Sequence, residues 1–397
     1  MVIDADRVEM LEAAVTAVGD QDLAVRARLL ATLGLELTWD PDHRRRLALS
    51  EDALRIATSL ADPPTLAHVL LARDYTIVHP DNALERFEAT AQLLDLAEQL
   101  SDPVLASRAL GLRFKVSMEL GDVAEAERCV TRNRELVAHL GQPELSWATV
   151  HHDATLRVLH SDEDAEAATN AAREFGEVAV GRPDIDFLSS GHWRVLHWDR
   201  GRLGEHEAWL RQVQHLVAFP VVRSAYAFVL LETNQFEAAA TIFDELADTG
   251  FAHPENNVSW MMYMFDCAWL CSRLDRDACV PRLRAILEPY PDMFAAGGFG
   301  SWVVGPGAFY LGMLAKTARD WDAADAYFTR AAATHERINA PAWLARTRLE
   351  WARMLVDRAA PGDAKRAADL LRQVLETARS RRLPPIERDA VALLSAV

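Results

Sequence analysis

Five histidines, His151, His152, His160, His192 and His197, fall in two stretches that share a register. Subtracting 152 from 192 gives 40, and the column one residue further on reads Arg73, Arg113, Asp153 and Trp193. Large polar and aromatic side chains alternating in one column belong on a face that a ligand can reach, with Trp147 and Trp198 close by in sequence. Such a set suits recognition of a ligand or peptide: aromatic rings supply area, while His and Arg supply orientation. A solvated, satisfied helix face is the plainer alternative. No nucleophile and base can be paired from spacing alone, so no catalytic residue is assigned. No cofactor or metal is expected either. Cys267 and Cys271 stand one helical turn apart with Cys279 beyond. A structural zinc site needs four good ligands, and neither a neighbouring histidine nor a second C-x-x-C is present, so these cysteines read as core. The stretch 295–307 carries four glycines, Gly297, Gly298, Gly300 and Gly305, before Gly307. Its spacing fits neither phosphate-binding fingerprint, no strand precedes it and no Lys-Ser/Thr follows. It reads as a long connection, with projection into the interior as a functional loop the alternative.

The elements that carry these residues repeat. Punctuation recurs at Ala61-Asp62-Pro63, Ser101-Asp102-Pro103, Gly141-Gln142-Pro143 and Gly181-Arg182-Pro183, and one step earlier at Gln21-Asp22. Each interval is 40 residues, longer than the usual tetratricopeptide period of about 34. Asp or Ser caps a helix and proline suits its first turn, so each site predicts a helix start. A second set of breaks, Trp39-Asp40-Pro41-Asp42, His79-Pro80-Asp81-Asn82, Gly121-Asp122 and Ser161-Asp162, divides every period into two helices, A and B. Leu60, Leu100 and Leu140 close successive B helices, with Ala57, Ala97 and Val137 one turn before them. Beyond residue 220 the spacing drifts while the pairing persists. Expected pairs run over 224–231 with 236–246, from Val258 to Cys271 with 278–287, over 308–318 with 321–335, and over 341–356 with 363–380. The fold class expected is all-α: an α-solenoid of antiparallel helix pairs, a TPR-like right-handed superhelix. It forms one continuous array, regular over 1–220 and less regular over 221–397.

The fragments Asp320-Trp321-Asp322-Ala323-Ala324 and Asn234-Gln235-Phe236-Glu237-Ala238 read like tetratricopeptide B helices, with small alanines where helices approach closely. With Ala24-Val25-Arg26-Ala27-Arg28-Leu29-Leu30-Ala31, Phe309-Tyr310-Leu311-Gly312, Ala342-Trp343-Leu344-Ala345-Arg346-Thr347 and Pro361-Gly362-Asp363, the chain resembles the helical region of actinobacterial LuxR-type and adenylate-cyclase-linked signalling ATPases. That resemblance covers essentially the whole chain, and it implies a sensor or interaction role in transcriptional or signalling regulation. It departs where chemistry would lie, because no G-x-x-x-x-G-K-[ST] is present and no helix-turn-helix follows the last repeat.

Half of the 397 residues are apolar, ample for a core, and 42 Lys and Arg against 59 Asp and Glu leave a net charge of −17. Direct nucleic-acid and membrane partners are therefore not expected, since phosphate binding needs a clustered basic surface. Four cysteines do not make a disulfide scaffold, and an acidic start replaces the basic start of a signal peptide, so a cytoplasmic location is expected. A-helix columns of repeat arrays commonly line the concave, binding face. The leading expectation is a non-catalytic scaffold or sensor that binds a protein partner or effector there, through Arg73, Arg113, Trp147, His152, Asp153, His192 and Trp193. The alternatives are a small-molecule sensor with its ligand inside the superhelix, and a biosynthetic enzyme on a repeat scaffold. A homodimer is a further expectation, because terminal repeats leave an apolar layer to cover.

Overall fold

The computed structural model describes residues 4–40, 42–181, 184–216, 219–252, 259–297, 300 and 303–397. Pro41, Arg182, Pro183, the expected helix start at Val258, and residues 298–299 and 301–302 of the glycine-rich stretch lie outside them. The described residues form twenty α-helices: α1 (Ala5–Val18), α2 (Leu23–Glu36), α3 (His43–Leu60), α4 (Pro63–Thr76), α5 (Ala83–Gln99), α6 (Pro103–Glu119), α7 (Val123–Val137), α8 (Pro143–His160), α9 (Ala165–Phe175), α10 (Ile185–Arg200), α11 (Gly204–Leu216), α12 (Pro220–Glu232), α13 (Phe236–Asp248), α14 (Trp260–Arg273), α15 (Val280–Leu287), α16 (Gly307–Thr317), α17 (Trp321–Arg337), α18 (Pro341–Arg358), α19 (Asp363–Arg381) and α20 (Pro384–Leu394). Among these residues no strand forms, and one antiparallel bridge joins Ala295 to Val304. The protein is all-α.

Local chemistry explains the regular half. The Asp22, Asp62 and Asp102 carboxylates accept from the backbone N–H groups of Val25 (3.0 Å), Thr65 (3.1 Å) and Leu105 (2.9 Å), so the 40-residue step is a step between N-caps. Helix ends are equally periodic. Residues with left-handed backbone stand at Ala61, Ser101, Gly121, Gly141, Ser161, Gly181 and Gly201. At Ser101, Ser161 and Gly201 the next residue's N–H reaches back five positions, from Asp102 to Ala97, Asp162 to Arg157 and Arg202 to His197, which stops each helix in a Schellman motif. Ala61 holds φ 50° with a Cβ that disfavours it. Ala61→Gly is expected to raise the free energy of unfolding by about 1 kcal/mol in urea titrations.

The chain divides into two compact units. The first comprises residues 1–119, 125–149 and 253–260; the second comprises 120–124, 150–252 and 261–397. In the first unit, consecutive helices pack through columns of small and branched residues. Ala27, Leu30, Ala31, Ala53, Ile56, Ala57, Val69 and Ala72 form one cluster. Ala67, Leu70, Leu93, Leu96, Ala97, Leu105, Ala109 and Leu112 form the next. Ala27 with Ala67, Leu30 with Leu70, and Ala57 with Ala97 are each 40 apart, so the same contact is built twice. Four charges are also buried here: Arg86 pairs with Glu119 and lies 3.9 Å from Asp74, which Lys115 approaches to 3.3 Å.

In the second unit the B helices are amphipathic, while two of the A helices, α14 and α16, are buried all round over most of their length. Every residue of α14 from Met261 to Ser272 is buried, as is α16 from Gly307 to Ala315. A helix buried on all sides reads as continuously apolar, which is why periodicity fades there. Gly312 lets α16 lie against α17, since a Cβ at that position would come within 2.9 Å of the Phe328 ring. The unit also closes on itself. Arg200 donates to the Arg381 and Arg382 carbonyls, the His160 ring bonds the Asn339 carbonyl at 2.8 Å, and α10 packs on α20.

Candidate functional site

Arg73, Arg113 and Trp147 belong to the first unit, and His152, Asp153, His192 and Trp193 to the second. Arg73 pairs with Glu85 at 2.6 Å and donates to Ser50 Oγ at 2.8 Å. Arg113 pairs with Glu125, donates to Thr90 Oγ1 at 3.2 Å and lies 4.0 Å over the Phe87 ring. In both repeats the arginine reaches a glutamate twelve residues ahead and a hydroxyl twenty-three behind. The column is thus a repeated staple from an A helix to its two flanking B helices. Trp147 is buried. Asp153 pairs with Arg157 on its own helix at 2.7 Å. Trp193 packs against Val158, Ala165, Val195 and Leu196, with His197 5.2 Å from its ring.

The structure brings the expected histidines together, in buried surroundings. The His151 ring lies 4.6 Å from His192 and 6.4 Å from His152. Thr155 donates its hydroxyl proton to the His151 carbonyl, so the 2.8 Å contact to His192 makes His192 Nε2 the donor and leaves Nδ1 without a hydrogen-bond partner. Burial pushes the His192 pKa down to about 3, with His152 beside it adding to the effect. His206, 4.9 Å from His197, and His335 are each lowered to about 4, again chiefly by burial. His335 is held from both sides, Nε2 donating to the Gly305 carbonyl at 2.6 Å and Nδ1 accepting from Thr347 at 3.0 Å. The described part of the glycine-rich stretch is therefore packed against α17 rather than open.

Such buried, neutral histidines predict an acid-sensitive fold. Each folded-state pKa lies below that of the unfolded chain, so the stability is fully present above about pH 6.5 and is lost as the pH falls towards 3–4. For each histidine, lowering the pKa by one is worth about 1.4 kcal/mol. The urea midpoint is expected to drop by a large fraction between pH 7.5 and 5, before carboxylates titrate. His192→Gln should flatten that slope.

Three of the four cysteines fit a core role, whereas Cys279 is half-buried. Cys129, Cys267 and Cys271 are buried, all four are free thiols, and burial pushes the Cys129 thiol up to about 12. Among the described residues, no group of three His, Cys, Asp or Glu is arranged to hold a metal ion. No described helix is long and apolar enough to cross a membrane.

A second constellation, absent from the expected set, is shared by α10, α12, α14 and α18. Arg194 forms a two-pronged pair with Asp266, which also accepts from Ser224 at 3.2 Å, and the guanidinium lies 4.0 Å over Phe228. Arg346 donates to Asp199 at 3.0 Å and lies 3.4 Å over Trp198, with Trp343 5.2 Å away. Its Nη1 is buried without a hydrogen-bond partner. The Trp198 ring meets Phe228 (4.9 Å), Trp269 (5.0 Å) and Trp343 (5.8 Å) edge-on, and Glu232 accepts from both Trp198 and Trp269 Nε1. Asp266, Trp269 and Arg273 on α14, and Trp343, Arg346, Glu350 and Arg353 on α18, follow helical steps of three and four. Each stripe runs from buried residues to a part-exposed arginine, with side-chain exposure of 31% at Arg273 and 21% at Arg353. The constellation's cations and aromatic rings are thus buried, and solvent reaches it at the arginine ends of the two stripes. A separate groove of about 540 Å³ lies between α15 and the α16–α17 turn, but its Arg284 is already paired with Asp320 and Glu288.

The chain matches no family model, and no curated protein matches its sequence.

Proposed function

We propose that this protein is a non-catalytic, TPR-like repeat sensor whose second unit takes a small effector at the inner faces of its A helices. An α-solenoid of helix pairs, as the repeat spacing suggests, supplies that inner face, and the Arg346–Trp198–Trp343 layer is its recognition surface. One observation carries the reading: Arg346 is buried between two tryptophans with only one of its terminal nitrogens engaged. A buried donor without an acceptor costs free energy, which a ligand acceptor recovers. Regulation of transcription or signalling, as the family resemblance implies, is the role in which such a sensor serves. Native mass spectrometry on protein purified from the cells that express it tests this. A bound small molecule that leaves on denaturation is the expected result, and a bare chain from every preparation counts against it.

A second reading, a scaffold for a protein partner, draws on the first unit, whose 40-residue pairs extend through α2 to α6. Affinity capture that returns one partner reproducibly, and loses it when α2–α5 surface residues are changed, favours that reading instead.

A further inference from the structure

The stripes surface at an uneven collection of charge. The Glu350 carboxylate is 1% exposed, and three cations converge on it: Arg353, Lys316 at 3.3 Å and Arg273 at 3.5 Å. They come from three different A helices, α18, α16 and α14. Only Arg353 has a second carboxylate, Asp389 at 2.7 Å. Among the described residues, neither Arg273 nor Lys316 has any other acidic partner. Asp389 is shared with the exposed Arg388 at 3.2 Å, so four positive groups stand against two negative ones, an excess of two in a chain whose net charge is −17. The cations around buried Glu350 are part-exposed, so an anion arriving from solvent can reach them and offset their mutual repulsion.

The cluster is also anchored. Arg273 lies 5.6 Å over the Trp269 ring, whose Nε1 is fixed by Glu232 at 2.9 Å. Lysine has three ammonium donors and arginine five, so one shared carboxylate leaves several donors for an incoming acceptor. The Lys316 side chain is 15% exposed and Arg273 31%, which gives solvent access to both.

We propose that Arg273, Lys316 and Arg353, set around buried Glu350, form an oxyanion-recognition site that takes the carboxylate or phosphate group of the effector. This inference rests on the sensor reading above and names the chemical class of the effector.

Thermal unfolding in sodium phosphate, sodium acetate and sodium chloride at matched ionic strength tests it. Phosphate or acetate is expected to raise the midpoint above chloride, and the stronger of the two identifies which group the site reads. Arg273→Gln, at a part-exposed position, leaves Glu350 paired with Arg353 and Lys316 and so preserves the fold. It is expected to raise the half-saturating anion concentration about tenfold, with the far-ultraviolet dichroism unchanged. Lys316→Gln should act in the same direction. Equal midpoints in all three salts, or an unchanged response in both variants, overturns the site. A chain that ignores both anions yet releases a small molecule on denaturation also overturns it, while leaving the sensor reading intact.

Discussion

Asp266→Ala is expected to lower the free energy of unfolding by about 3–5 kcal/mol, read from urea or thermal denaturation. The carboxylate is buried, joined to Arg194 by two hydrogen bonds and to Ser224 by a third. Removing it leaves a buried guanidinium whose paired acceptor is gone, and that uncompensated charge supplies most of the cost. The pair itself contributes less than this figure, since both partners are desolvated when it forms. Replacing Arg194 and Asp266 together by Met and Leu should therefore restore most of the lost stability. If the double variant is as unstable as the single one, the penalty comes from packing rather than from charge.

Trp198→Ala is expected to cost about 3–5 kcal/mol as well, by a different route. The ring touches side chains from α12, α14 and α18, and it is the surface against which Arg346 is seated. Its removal opens a cavity where four A helices meet. It also deprives Glu232 of one of its two indole donors. Trp198→Phe keeps much of the ring contact and loses that hydrogen bond, so a smaller loss is expected, together with weaker effector binding.

The repeat is legible in the sequence because its determinants are local. Asp62 and Asp102 cap helices within three residues of themselves, and Ser101 ends one within five. Counting in steps of 40 also aligns equivalent residues correctly at Arg73 and Arg113. Where those side chains point depends on partners elsewhere in the period: Glu85 and Glu125 draw the arginines towards the B helices. That pairing leaves a trace in the sequence, because Arg is followed twelve residues later by Glu in both repeats. The constellation on α10, α12, α14 and α18 is harder to see. Its stripes on α14 and α18 keep helical spacing, but the 40-residue step that aligns columns has lapsed by that point in the chain. Burial of α14 on all sides also removes the amphipathic rhythm there. The contacts that close the second unit, from His160 to Asn339 and from Arg200 to Arg382, join residues about 180 apart, which no local pattern encodes. The neutral His192 is equally non-local: it shares a column with His152 in sequence, but only packing makes its surroundings dry.

Recognition of an effector by the Arg346–Trp198–Trp343 layer is tested most directly by a thermal-shift screen of wild type and Arg346→Lys against one panel of anionic metabolites. Ligand that binds only the folded chain raises the midpoint by mass action. Lysine keeps the charge but loses the planar fork seated on Trp198. At least one metabolite is expected to stabilise the wild type and to give a much reduced shift in the variant. Metabolites that stabilise both proteins equally would contradict a recognition role for the layer.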